Sequence, residues 1–183
     1  MIYIHGFGSS GFGGKAMLFR DYFKQKSVRF LAPSLSYVPK LAVETLKEIA
    51  ENCQNPRFIG SSLGGFYALY LAKLYSTKAV LINPALYAPS TLKRHISGFA
   101  NNYYDLSKFE WNDQHLKMLE EYIATDVDQK SIMLLLQTGD DIIDYKESLE
   151  LLPNAKSIIE EGGTHSFEGV ERHFEIIEQF LLS

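Results

Sequence analysis

Residues 58–72 read FIGSSLGGFYALYLA. The run RFI before Gly60 has the composition of a buried strand, and the stretch from Leu63 is apolar almost all round until Lys73, as in a helix buried against a sheet. Strand and helix must therefore meet across a very tight turn. Within it Gly60, Ser62 and Gly64 satisfy G-x-S-x-G, the pattern that holds a serine in a strained backbone conformation with its hydroxyl above the sheet edge. Two positions either side of that serine, strand and helix pass too closely for side chains, which the two glycines accommodate. Ser61 has Leu63 two places on, so Ser62 is the candidate nucleophile and Ser61 a small neighbour.

Working outward, short apolar runs recur at MIYI (1–4), VRFLA (28–32), RFIG (57–60), AVLI (79–82), IMLLLQ (132–137) and KSIIE (156–160). Helical stripes lie between and after them: Leu18, Phe19, Tyr22 and Phe23; Ala42, Leu46, Ile49, Ala50 and Cys53; Val170, Phe174, Ile177, Phe180 and Leu181. Strand alternating with helix predicts an α/β domain spanning 1–183, with a six-stranded, mostly parallel sheet and helices on both faces. A strand order of 2-1-3-4-5-6 would put the loops after the first and third strands at the switch point, where open sheets leave a crevice. One interval, 84–130, breaks the rhythm. It predicts an insertion of two helices near 89–98 and 112–124, joined by the aromatic GFANNYYDLSKFEW, which would form a helical lid or wall over a pocket. Tyr87, Tyr103 and Trp111 from this region, with His5 at the end of the first strand, are candidate pocket-lining residues.

The formal charge is −4 and no basic run exceeds Lys93-Arg94, so an electrostatic grip on nucleic acid or anionic lipid is not expected. The single cysteine, Cys53, cannot close an internal disulfide, and no Cys/His spacing points to a metal site. Met1 runs directly into IYI without the basic start of a signal peptide, and no segment reaches membrane-spanning length, which predicts a cytoplasmic location.

A serine hydroxyl is a poor nucleophile at neutral pH and needs a base, itself oriented by an acid. After IMLLLQ comes TGDDIIDYKE, which places Asp140, Asp141 and Asp144 on one loop. Asp144 has a separate use as an N-cap, with Glu147 three residues on in a capping box. Asp140 comes first after the strand and is the candidate acid, with Asp141 in reserve. After KSIIE comes EGGTHSF, in which Gly162 and Gly163 allow a sharp loop that presents His165 as the candidate base. Of the other histidines, His95 and His115 fall in the insertion, His173 borders the last apolar stripe and His5 ends the first strand. The backbone N–H of Leu63, together with that of Phe7 in HGFGSS (5–10), would supply donors for a developing oxyanion.

The same early loop satisfies G-x-G-x-x-G, the dinucleotide fingerprint, through Gly6, Gly8 and Gly11. That reading fails because VRFLAPSLS offers no acidic residue for the ribose, and the neighbouring GGKA fails as a P-loop because Ala16 stands where Ser or Thr is required. Neither a nucleotide nor another cofactor or metal is implied.

The blocks HGFGSS, GSSLGGFYA, INPAL, LLLQTGDDIIDY and EEGGTHSF together resemble the YqiA-like small esterases, a bacterial α/β-hydrolase family, over nearly the whole chain. The order Ser, Asp, His is also that of α/β-hydrolases. The resemblance implies a minimal α/β-hydrolase without the first two strands of larger relatives, a serine esterase for short acyl esters or acyl-CoA thioesters, with Ser62, Asp140 and His165 at the triad positions. Gly8 departs from the family's HGFNSS, and Tyr87 stands where relatives tend to carry Arg. A hydrolase-fold binding protein without turnover is the alternative class, distinguished by failure to react with a fluorophosphonate.

Overall fold

The computed structural model describes residues 1–95 and 98–183. In chain order the elements are β1 (Ile2–Ile4), α1 (Gly14–Gln25), α2 (Pro39–Glu51), β2 (Phe58–Ser61), α3 (Leu63–Leu74), β3 (Ala79–Ile82), α4 (Ala88–His95), β4 (Gly98–Asn101), β5 (Lys108–Trp111), α5 (Asp113–Glu120), β6 (Ile132–Gln137), α6 (Tyr145–Leu151), β7 (Lys156–Glu160) and α7 (Phe174–Leu182). Five strands pair in parallel in the order β1-β2-β3-β6-β7. Their apolar runs are continuous because both faces are covered. Alternate residues part company accordingly: Ile4, Phe58, Leu81 and Leu134 pack with α2 and α3, whereas Tyr3, Ile59, Val80 and Met133 pack with α1 and α7. α3 is buried along most of its length, as its unbroken apolar sequence requires. No described helix is long and apolar enough to cross a membrane.

Two expectations need correction. Among the described residues the main sheet has five strands, not six. The segment 28–32 runs beside β1 at the predicted edge but makes a single bridge, in which the Tyr3 N–H donates to the Leu31 carbonyl and the Leu31 N–H to that of Met1, at 2.8 and 2.9 Å. β1 is only three residues long and Pro33, just beyond the bridge, has no N–H to offer, so the ladder stops.

The insertion, secondly, is not wholly helical. Between α4 and α5 the chain forms an antiparallel hairpin, β4 against β5, with Ala100 opposite Phe109 and Gly98 opposite Trp111. Phe109 and Trp111 point inward while Lys108 and Glu110 face out. That period-two alternation in KFEW was the available signal for a strand. Residues 96 and 97, the end of the first predicted insertion helix, lie outside the described residues; Gly98 already belongs to the hairpin.

Candidate active site

Ser62 sits between β2 and α3 with φ 55° and ψ −122°, a backbone conformation that costs a non-glycine residue about 1–3 kcal/mol. Packing enforces it. A side chain on Gly60 would collide with the Gly64 carbonyl, and one on Gly64 with that of Ile4, so strand, helix and the neighbouring β1 touch backbone to backbone. The Ser62 carbonyl accepts hydrogen bonds from the Gly65 and Ala85 N–H groups, at 2.8 and 3.0 Å, which fixes the turn from two directions. Ser61, the last residue of β2, is buried.

His165 stands on the loop after β7, where Gly162 and Gly163 both take positive φ. Its Nε2 lies 2.9 Å from Ser62 Oγ and its Nδ1 2.8 Å from Asp140 Oδ2. Asp140 comes from the loop after β6; its side chain is 2% exposed, and its Oδ1 accepts from the N–H groups of Ile142 and Ile143, each at 2.9 Å. The carboxylate is thereby aimed, with one oxygen held by its own loop and the other by the imidazole. Asp141 is exposed. Asp144 is the N-cap of α6, accepting from the Lys146 N–H at 3.0 Å, but Glu147 reaches toward Arg94 at 3.9 Å instead of closing a capping box.

Two further residues, missed in the sequence, hold the His165 loop. Asn83, just after β3, and Gln137, the last residue of β6, are each 2% exposed. Asn83 Nδ2 donates to the Thr164 and His165 carbonyls at 2.9 and 3.3 Å, while its Oδ1 accepts from the Gln137 N–H at 2.9 Å. Gln137 Oε1 accepts from the Thr164 and Glu168 N–H groups at 3.2 and 2.9 Å, and its Nε2 donates to the Glu168 carbonyl and to Glu160. Every polar atom of both amides is used, the condition under which buried polar side chains rigidify a structure. The signal was there: a polar residue closing each apolar strand, in INPAL and LLLQTGD.

The loop after β1 lies against Ser62, since a Cβ on Gly6 would come within 3.2 Å of Ser62 Cβ. His5 anchors this loop. Its Nε2 accepts from the Leu35 N–H at 2.9 Å, so Nδ1 carries the proton and donates to the Gly6 carbonyl at 2.8 Å; burial lowers its pKa, in keeping with a neutral ring. Phe7 packs edge-on to Trp111 at 4.7 Å and against Phe109 at 5.4 Å. Trp111 is 1% exposed and packs against Phe7, supporting the loop, and lines neither cleft described next. Tyr87, partly exposed, lines neither cleft described next. Gly8 has φ 61°, and a side chain there would strike the Asn101 carbonyl and the Tyr103 ring. Its departure from Asn thus lets the hairpin close onto the loop, where the Tyr103 N–H donates to the Gly8 carbonyl at 2.6 Å.

Two clefts share Gly6, Phe7 and Ser9. One, of about 460 Å³, is lined by His5, Leu63 and the rings of Tyr37, Tyr67, Phe99 and Phe109, and also by the charged side chains of Asp105, Lys108 and Glu110. The other, of about 580 Å³, contains Ser62 and His165 and is bounded by Lys15, Tyr103, Ile142 and Ser166. Burial lowers the Lys15 pKa to about 8, against the pull of the Asp140 charge.

A family model described as an uncharacterised protein family, UPF0227, matches residues 1–182. The chain belongs to the UPF0227 family. This is the YqiA-like group that its sequence blocks resemble. UPF0227 proteins of Vibrio cholerae and Serratia proteamaculans are 25% and 26% identical over 186 residues, covering 98% of this chain and 98% and 97% of theirs. Among solved structures, mouse alpha/beta hydrolase domain-containing protein 10 is similar with a TM-score of 0.75 at 17% identity, covering 100% of this chain and 90% of that one. Est1E from Butyrivibrio proteoclasticus with ferulic acid bound gives 0.73 at 14% identity, covering 99% and 87%, and Paleococcus ferrophilus monoacylglycerol lipase 0.69 at 15%, covering 99% and 93%. The fold of this UPF0227 member is that of the α/β-hydrolases.

Proposed function

We propose that the protein is a serine hydrolase of carboxylic esters. The observation that carries this reading is the unbroken line from Ser62 Oγ through the His165 ring to the Asp140 carboxylate, at 2.9 and 2.8 Å. In it His165 Nε2 takes the Ser62 proton as Oγ attacks the ester carbon, and Asp140 holds the imidazole in the tautomer with its free nitrogen toward the serine. The tetrahedral oxyanion is met by the N–H groups of Phe7 and of Leu63, the latter in the first turn of α3 where no intrahelical acceptor is available. His165 then protonates the leaving group, and water activated by the same imidazole releases the acid. The chemistry serves a thioester equally, and a small-molecule ester fits the size of the clefts. Est1E, with ferulic acid bound, and the monoacylglycerol lipase add the same direction by analogy of fold.

The test is a fluorophosphonate probe followed by peptide mapping, beside turnover of nitrophenyl esters. The label is expected on Ser62, and Ser62→Ala is expected to lower kcat by about 10⁶ with the fold retained. An unlabelled Ser62 in folded protein, or undiminished turnover in the variant, would sink the reading and favour a binding protein.

A further inference from the structure

We propose that the cleft around Ser62 and His165 takes esters whose leaving group carries an oxyanion, a carboxylate or a phosphate, and that Lys15 binds it. This rests on the hydrolase reading and names the substrate class for the same site. Lys15, the lysine of the GGKA stretch that fails as a P-loop, enters the cleft from the first turn of α1. Its Nζ donates to the carbonyl of Ser166, the residue after His165, so the ammonium stands beside the imidazole's own loop. Among the described residues that line this cleft, it is the one lysine, and no arginine, aspartate or glutamate accompanies it.

No carboxylate lies within ion-pair distance of that ammonium among the described residues. Asp140 acts on it only through space, since both Asp140 oxygens are taken, one by the Ile142 and Ile143 N–H groups and the other by His165. A half-buried ammonium with one carbonyl acceptor has donors to spare, and withdrawing it from water without a counter-ion is unfavourable. An anion on the ligand supplies the missing partner. The lowered pKa of about 8 records the same partial desolvation and leaves the group charged at neutral pH.

Direction follows from the two clefts. Leu63 lines the cleft that also holds Tyr37, Tyr67 and Phe109, and His165 lines the other. The leaving group is the part that receives the proton of His165, so it lies on the Lys15 side, while the acyl chain runs past Leu63 toward Tyr37, Tyr67 and Phe109.

The experiment compares kcat/KM within two matched pairs: nitrophenyl butanoate against its ring-carboxylated counterpart, and monobutanoylglycerol against its phosphate. Wild type, Lys15→Met and Lys15→Arg are measured, with fluorophosphonate labelling of Ser62 as the control for the active site. Wild type is expected to prefer the anionic member of at least one pair by about tenfold or more, through KM, the size of a charge-assisted contact. Which pair shows it decides between carboxylate and phosphate. In Lys15→Met the ratio falls to about one, and Lys15→Arg keeps most of it. A ratio near one in labelled wild-type protein, or a loss in Lys15→Met shared equally by both members of a pair, overturns the subsite and leaves Lys15 as a tether of the His165 loop. Failure of Ser62 to label overturns the hydrolase reading itself, and the subsite with it.

Discussion

The His165 loop and the β4–β5 hairpin both close on the rim that carries Ser62, yet different forces hold them. The loop is fastened by directional bonds, with Asn83 and Gln137 together donating to or accepting from Thr164, His165 and Glu168 at 2.9 to 3.3 Å. The hairpin is seated by ring contacts, with Phe109 against Phe7 and Tyr37, and Trp111 between Phe7 and His115. Its outer residues Phe99, Tyr103 and Leu106 are more than two-thirds exposed. A hydrogen-bond network has one good geometry, whereas apolar packing of similar volume has several. The contrast assigns precision to one side of the site and shape to the other; under the proposed hydrolase reading, proton transfer would need the former and an acyl chain the latter.

The largest test of this division is Asn83→Asp. The Oδ acceptor for Gln137 is kept, but the donor to the Thr164 and His165 carbonyls is replaced by a carboxylate that repels them. kcat is expected to fall by about 100-fold, the cost of displacing a reacting group by about 1 Å, with KM little changed. Steady-state kinetics on a neutral ester checks this, and an unchanged kcat would break the comparison at its stronger end. Next is Gly8→Ala, which adds a Cβ at φ 61° in the path of the Asn101 carbonyl. Moving the hairpin should raise KM for longer acyl chains by about tenfold, or ~1.4 kcal/mol, and leave kcat for the shortest ester near the wild-type value. A kcat effect as large as that of Asn83→Asp would mean that the hairpin also sets the catalytic geometry.

The smallest effect sharpens the polar side. Burial would raise the pKa of Glu160, but hydrogen bonds from Gln137, His173 and Arg172 outweigh it and hold the carboxyl at about 2, below its ordinary 4.5. A depressed carboxyl stabilises the fold above its unfolded pKa and loses that contribution as pH falls through its folded one. Wild type should therefore melt a few degrees above Glu160→Gln near neutral pH, equivalent to ~1 kcal/mol in a chain of this length. The gap should close between about pH 4.5 and 2. Thermal melts across that range check it, and a gap independent of pH would detach Glu160 from the network.

Much of this site could be read from local pattern. Ser62 was marked by glycines two places either side, and His165 by the double glycine that permits its loop, because backbone crowding and left-handed φ restrict residue type locally. Sequence order alone ranks Asp140 before Asp141, whereas the inward turn of the Asp140 carboxylate depends on the Ile142 and Ile143 N–H groups of the folded loop. The hairpin is not legible from local signals, because its six-residue connection, 102–107, carries none of the two-residue turn signals that announce a β-hairpin. Segment 28–32 has the composition of a strand, but composition does not count the partner residues available to pair with it.

By itself the sequence determined the alternation of strand and helix, the parallel sheet and the tight turn at Ser62, since these follow from side-chain period and from the steric needs of neighbours along the chain. Only the tertiary structure decided that β1 would be too short to recruit a sixth strand, that Trp111 would prop Phe7 instead of facing a cleft, and that Lys15, Asn83 and Gln137 would gather around His165. Those outcomes depend on contacts between residues 27 to 151 positions apart. Distance in space, not adjacency in sequence, fixes which buried polar group finds a partner.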